Sequence, residues 1–141
     1  MNFDPDVWGP HYWFFLHTVA ESYPIHPNEV TKRKYYDLIH NMPLFIPVEE
    51  MGDKFSKLLD RYPVSPYLDT RESFVRWVHF IHNKLNEYLG KEEITLLPAL
   101  DKYRDQYNPK IFGIIQTEKM RKQNIYVVLI LICLFIIYVL L

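Results

Sequence analysis

The stretch Thr70–Lys91, TRESFVRWVHFIHNKLNEYLGK, decides the fold. Phe74, Trp77, Val78, Ile81, Leu85 and Leu89 recur at three- and four-residue intervals, the period of a helix with one apolar side. Asp69 or Thr70 can cap its start, and Gly90 suits its end. The second half carries chemistry as well as packing. His82, Asn83 and Asn86 stand at i, i+1 and i+4, so their side chains share one side. Two amides and an imidazole turned into an aromatic-rich bundle need partners, because an unsatisfied buried amide costs about 1–3 kcal/mol. A bound heterocycle would supply them. The alternative is that Asn83, Asn86 and Lys91 are solvated and His82 is a satisfied core histidine. His79 and His82, at i and i+3, have no Cys, Asp or third His at ligand spacing, which argues against zinc.

The rest of the chain reads as further helices around this one. Pro10 as a first-turn residue opens a helix to about Val19, with Tyr12, Trp13, Leu16, His17 and Ala20 at helical spacing. Asn28 caps a second helix through about Asn41, with Tyr35, Leu38 and Ile39 inward. Pro43 and Pro47 bracket a short extended connection, Leu44–Ile46. A third helix runs from Val48 to Arg61 on Met51, Phe55, Leu58 and Leu59, and the proline-containing stretch 62–68 is a loop. A shorter fifth helix starts at Pro98 and ends near Tyr107. The fold class is all-α: a four-helix bundle with a short fifth helix.

Composition narrows the function. With 16 basic and 17 acidic residues in 141, no charge excess points to nucleic acid. The single cysteine, Cys133, excludes an intrachain disulfide, so folding does not require an oxidising compartment. Met1–Pro10 lacks the apolar core of a signal peptide. Residues 125–141, IYVVLILICLFIIYVLL, form an unbroken apolar run, long enough as a helix to span roughly 25 Å of a ~30 Å hydrocarbon layer. Lys110, Lys119, Arg121 and Lys122 precede it against Glu118, the balance of a cytoplasmic juxtamembrane segment. The expected organisation is a helical domain 1–107, a basic linker 108–124 and a transmembrane tail anchor 125–141, with the N-terminal domain on the cytoplasmic face.

Several segments together resemble the Erv/ALR family of FAD-linked sulfhydryl oxidases. His82-Asn83-Lys84-Leu85-Asn86-Glu87-Tyr88-Leu89-Gly90-Lys91 is similar to the family's flavin-binding pattern HNxVNxxLxK. Trp8-Gly9-Pro10-His11-Tyr12-Trp13-Phe14-Phe15-Leu16-His17 resembles its opening motif, and Tyr23-Pro24 falls where YYP is common. Leu100-Asp101-Lys102-Tyr103-Arg104-Asp105 resembles a late segment in which Tyr103 stands for the usual Trp. The resemblance implies an FAD site from Gly9, Trp13, His17, His82, Asn83, Leu85, Asn86, Leu89, Lys91 and Tyr103. Lys91, just past the helix end, would then meet pyrophosphate charge. His79 occupies the position of a structural cysteine whose partner would lie near Leu96.

The departure from the family is chemical. Its redox pair, P-C-x-x-C, corresponds here to Pro47-Val48-Glu49-Glu50-Met51. Valine has no sulfur and a thioether forms no disulfide, so the family's thiolate chemistry has no nucleophile at Val48 or Met51. No residue is therefore assigned a catalytic role. The leading expectation is a membrane-anchored, FAD-binding protein without sulfhydryl oxidase activity, acting in structure or assembly. Compact relatives occur in large DNA viruses, which suggests a virion or host internal-membrane component with viral structural partners. The alternatives are an FAD-linked thiol oxidase using a partner chain's cysteines and a flavin-free scaffold. Trp13, Phe14 and Phe15 put rings on adjacent helical faces, more than one core needs, and with the family this implies a homodimer.

Overall fold

A computed structural model describes residue 1 and residues 3–140, with side chains described outside 109–116 and 134–140. Six α-helices follow in order: α1 Pro5–Glu21, α2 Glu29–Asn41, α3 Glu49–Arg61, α4 Arg71–Tyr88, α5 Leu96–Asp105 and α6 Pro109–Leu140. Short 3₁₀ turns stand at Met42–Phe45 and Ser65–Tyr67. No strand occurs among the described residues.

Local signals set most boundaries. Asn28 caps α2 by accepting from the Thr31 N–H at 2.8 Å, and Thr70 caps α4 by accepting from the Ser73 N–H at 3.1 Å. Gly90 ends α4 at φ 67°, a left-handed conformation. Around it the Lys91 N–H donates to the Asn86 carbonyl at 2.9 Å and the Gly90 N–H to Glu87 at 3.1 Å. That pair of bonds is a Schellman closure, and it sets the exit of the chain toward Lys91. Gly90→Ala should cost about 1–2 kcal/mol, the penalty of a Cβ in this region, read as a lower urea midpoint at unchanged slope.

Three expectations need correction. The first helix starts at Pro5 rather than Pro10: Asp4 accepts from the Asp6 N–H at 2.9 Å, Pro5 takes the first-turn position, and Pro10 lies inside. The connection expected to be extended at Leu44–Ile46 is instead a 3₁₀ turn over Met42–Phe45, closed by the Ile46 N–H on the Pro43 carbonyl at 3.3 Å. The fifth helix begins at Leu96, two residues before Pro98. First-turn N–H groups have no intrahelical partner, so a proline there removes nothing.

The chain divides into two compact units, Met1–Leu100 and Asp101–Leu141. In the first, α1 and α4 run antiparallel: His17 meets His82, while Asp6 near the start of α1 meets Lys91 beyond the end of α4. Ala20, Tyr23 and Phe74 are fully buried. Tyr23 packs edge-on against Tyr35 and Phe74, with ring centroids 4.6 and 5.2 Å away. Its hydroxyl is satisfied by donating to the Leu68 carbonyl at 2.7 Å. Gly52 on α3 is needed for close approach. A Cβ there would stand 2.8 Å from the Pro43 carbonyl oxygen, so α3 rests directly on the 3₁₀ turn.

In the second unit, α6 is helical from Pro109 to Leu140. Its described apolar residues Ile125–Ile132 are all exposed. No helix among the described residues is long and apolar enough to cross a membrane. The side chains of 134–140, and residue 141, on which the expected anchor 125–141 partly rests, lie outside the described residues.

Candidate functional site

Gly9, Trp13 and His17 recur every four residues, so they form one stripe along α1. His82 and Asn86 form the facing stripe on α4. Trp13 stacks on His82 with centroids 3.9 Å apart and planes within 9°. His17 Nε2 lies 3.1 Å from His82 Nδ1. One of these two nitrogens must donate and the other accept, so the imidazoles share a proton and their tautomers are linked. Burial, reinforced by the neighbouring charge of His79, pushes His17 down to about 4. The pair is therefore neutral at His17 near pH 7. Phe55 of α3 presents an edge contact to Trp13, at 6.3 Å.

The other end of the α1–α4 seam is charged. Lys91 Nζ lies 2.8 Å from Asp6 Oδ1, and both side chains are largely exposed. The antiparallel register set by His17–His82 and Asp6–Lys91 places Gly9 level with the Asn86–Leu89 turn. A Cβ on Gly9 would meet nothing within 4 Å. Neither a turn nor packing within the chain requires glycine there, although glycine inside a helix costs roughly 1 kcal/mol against alanine. Asn86 and Leu85 are buried, and Leu89 is the partly exposed C-cap of α4. An aromatic platform, the neutral His17 imidazole, an amide group, a bare backbone position and an ammonium group make a donor set suited to a flat heterocycle bearing phosphates. Gly9→Ala should stabilise the ligand-free chain by up to about 1 kcal/mol while weakening binding of any group lying over α1, measurable as opposite shifts in melting temperature without and with ligand.

The Erv1 / Alr family model matches residues 10–108. The chain belongs to that family. A probable FAD-linked sulfhydryl oxidase of Acanthamoeba polyphaga mimivirus is 34% identical over 107 residues, covering 75% of each chain. The mitochondrial FAD-linked sulfhydryl oxidase erv1 of Schizosaccharomyces pombe is 33% identical over 89 residues, 62% of this chain and 49% of that protein. Among solved structures, the FAD-binding domain of Erv1 from Saccharomyces cerevisiae superposes with a TM-score of 0.67 at 26% identity, covering 74% of this chain and 97% of that one.

In this Erv1 / Alr chain, the positions expected to carry sulfur are apolar. Val48 is the half-buried N-cap of α3 and offers no side-chain cap. Met51 is buried one turn before Phe55 on the same face, so that face leads to the Trp13 ring. Glu49 and Glu50 occupy the first turn of α3, where negative charge suits the helix terminus. Lys54 beside Glu50 holds its carboxyl below the ordinary range. Cys133, on α6, is exposed and the only cysteine.

The structure brings together Trp13, His17 and His82, and the antiparallel register sets Gly9, Asn86, Leu89 and Lys91 along the same α1–α4 seam. Leu85 serves packing. Tyr103 lies on α5 in the second unit, buried, with its hydroxyl donating to that of Tyr107 at 3.2 Å. Asn83 faces a different partner, the loop after α4: its Nδ2 lies 2.8 Å from the Ile94 carbonyl oxygen. Sequence reasoning missed Asp6 as the partner of Lys91 and Ile94 as the partner of Asn83. Neither leaves a local signal, because both pairings depend on how the segments meet in space.

Proposed function

We propose that this chain binds FAD along the seam of α1 and α4 and has lost the dithiol chemistry of its family, serving as a membrane-anchored structural or assembly component. The observation that carries the first half is the facing of the Gly9–Trp13–His17 stripe and the His82–Asn86 stripe, closed by Lys91. Trp13 would supply the aromatic contact, His82 and Asn86 hydrogen bonds, and Lys91 the countercharge. When bound, FAD would supply two-electron redox chemistry. The second half rests on Val48 and Met51 at the redox positions, with no second cysteine in the chain.

Anchoring draws support from α6. Ile125–Ile132 are eight successive apolar residues, each about half exposed or more and distributed all round the helix, so a protein groove covering one face would leave the rest in water. A lipid phase covers every face at once. The basic residues Lys119, Arg121 and Lys122 then favour a cytoplasmic placement of the N-terminal domain. A homodimer through α1 would cover Val7 and Phe15, both exposed. The relationship to a mimivirus protein supports a role in a virion or in viral assembly at a host membrane.

The full chain, purified in detergent and desalted, tests the reading through its absorbance spectrum and its oxygen uptake with a small dithiol. The expected result is near-stoichiometric FAD, lost on His82→Ala with Asn86→Ala, and no oxygen uptake above free flavin. A colourless, folded chain that ignores added FAD would leave a scaffold only. A second reading draws on Leu44 and Phe45, 79% and 64% exposed on the turn before Val48: a partner chain docking there could bring its own thiols. It predicts oxygen uptake only after that partner is added.

A further inference from the structure

We infer that Asn83 is a positioning residue that staples the loop after α4 to the helix, and through it fixes Lys91, rather than a ligand of the cofactor. Its amide is already committed. Nδ2 donates to the Ile94 carbonyl at 2.8 Å and lies 3.2 Å from His79 Nε2, while Oδ1 accepts from the Ile94 N–H at 3.2 Å. A primary amide has two N–H donors, and these contacts use both. The exchange with Ile94 is two-sided, as between paired strands, and it spans 11 residues.

His79 completes the arrangement. It is buried, and burial lowers its basicity, opposed by the Ile94 backbone and Glu93. Kept neutral, with its proton on Nδ1, it offers Nε2 as an acceptor to the second Asn83 N–H. The segment held in this way begins one residue after Gly90. Its first residue, Lys91, is fixed at the backbone by the Asn86 carbonyl and at the ammonium by Asp6. Releasing Ile94 frees the far end of a loop only a few residues long, whose near end sets the cation.

This inference rests on the FAD reading only where it concerns Lys91, and its test separates the two. Hydrogen exchange is followed by mass spectrometry on the flavin-free full chain with Asn83→Ala and, in case that variant folds poorly, Asn83→Asp. The aspartate keeps the acceptor for the Ile94 N–H and loses both donors. Protection of the amides at 92–95 should fall about tenfold or more in the alanine variant and less in the aspartate variant, with α1 and the first half of α4 unchanged. In a second arm, FAD affinity is measured for Asn83→Ala, Lys91→Ala and the double variant. If Asn83 acts through Lys91, the double variant should bind no more weakly than Lys91→Ala. Unchanged loop protection in the flavin-free variants would overturn the staple. Additive losses of affinity would overturn its action through Lys91. Failure of every form to bind FAD would sink the proposed function and leave the exchange result standing.

Discussion

Replacing Val48 and Met51 together by cysteine should give this chain dithiol-dependent oxygen uptake, rising on the order of 10³-fold above background. The size follows from the nature of the deficit: a missing nucleophile is the largest loss a site can carry. The backbone is already suitable. The two positions are separated by i, i+3 at the start of α3, where Cα atoms stand within disulfide range and the helix terminus favours thiolate. On oxidation the two thiols would lose two electrons and two protons to FAD as the S–S bond forms. The shorter side chain at buried Met51 should cost about 1–2 kcal/mol, which a denaturation curve would register without abolishing folding. A double variant that binds FAD, forms the 48–51 disulfide by mass, and still consumes no oxygen would mean that more than the sulfurs has been lost.

Acidification should unfold the bundle through His17. Its folded-state value is about 4, against an ordinary 6.5, so between these limits the unfolded chain binds more protons. Stability then rises with pH across that window. The contribution of His17 is complete above about 6.5, is lost as pH falls toward 4, and changes no further below. The span corresponds to about 3 kcal/mol. His79, also lowered by burial, acts in the same direction. Urea midpoints at pH 7.5, 6, 5 and 4.5 should therefore fall steadily, and His17→Gln should flatten the slope by more than half. Equal slopes in the two proteins would show that His17 is not the group that titrates. Glu50 and Glu87, whose carboxyls Lys54 and Lys84 hold below the ordinary range, are exposed.

What could be read from the chain was whatever its chemistry announces locally. Asn28, Thr70 and Gly90 punctuate helices because the groups they satisfy lie within four residues. The stripe Phe74–Leu85 has one physical explanation, burial of one side of a helix, and Leu89 beyond it is an exposed C-cap. At the start of α1 two prolines compete for the first-turn position, and Asp4, the residue that decides between them, precedes the apolar pattern. The 3₁₀ turn at Met42–Phe45 escaped because its cause is the approach of Gly52, which no local pattern encodes. Trp13, His17 and His82 were found through resemblance, and their stacking and shared proton came only with the antiparallel packing of α1 on α4. Asn83 enters the expected site through the resemblance, and its bonds to Ile94 appear only where the loop after α4 meets the helix.

The seat of α3 on the 3₁₀ turn also has an entropic side. Between Met42 and Gly52 the rings of Pro43 and Pro47 remove two backbone torsions outright. The Tyr12 hydroxyl holds the Phe45 carbonyl at 2.8 Å, and the Gly52 backbone sits against the Pro43 carbonyl. The segment that delivers positions 48 and 51 is thus ordered during folding itself. Whatever side chains stand there, a group meeting them encounters a surface whose conformational freedom has already been spent, and association need not spend it again.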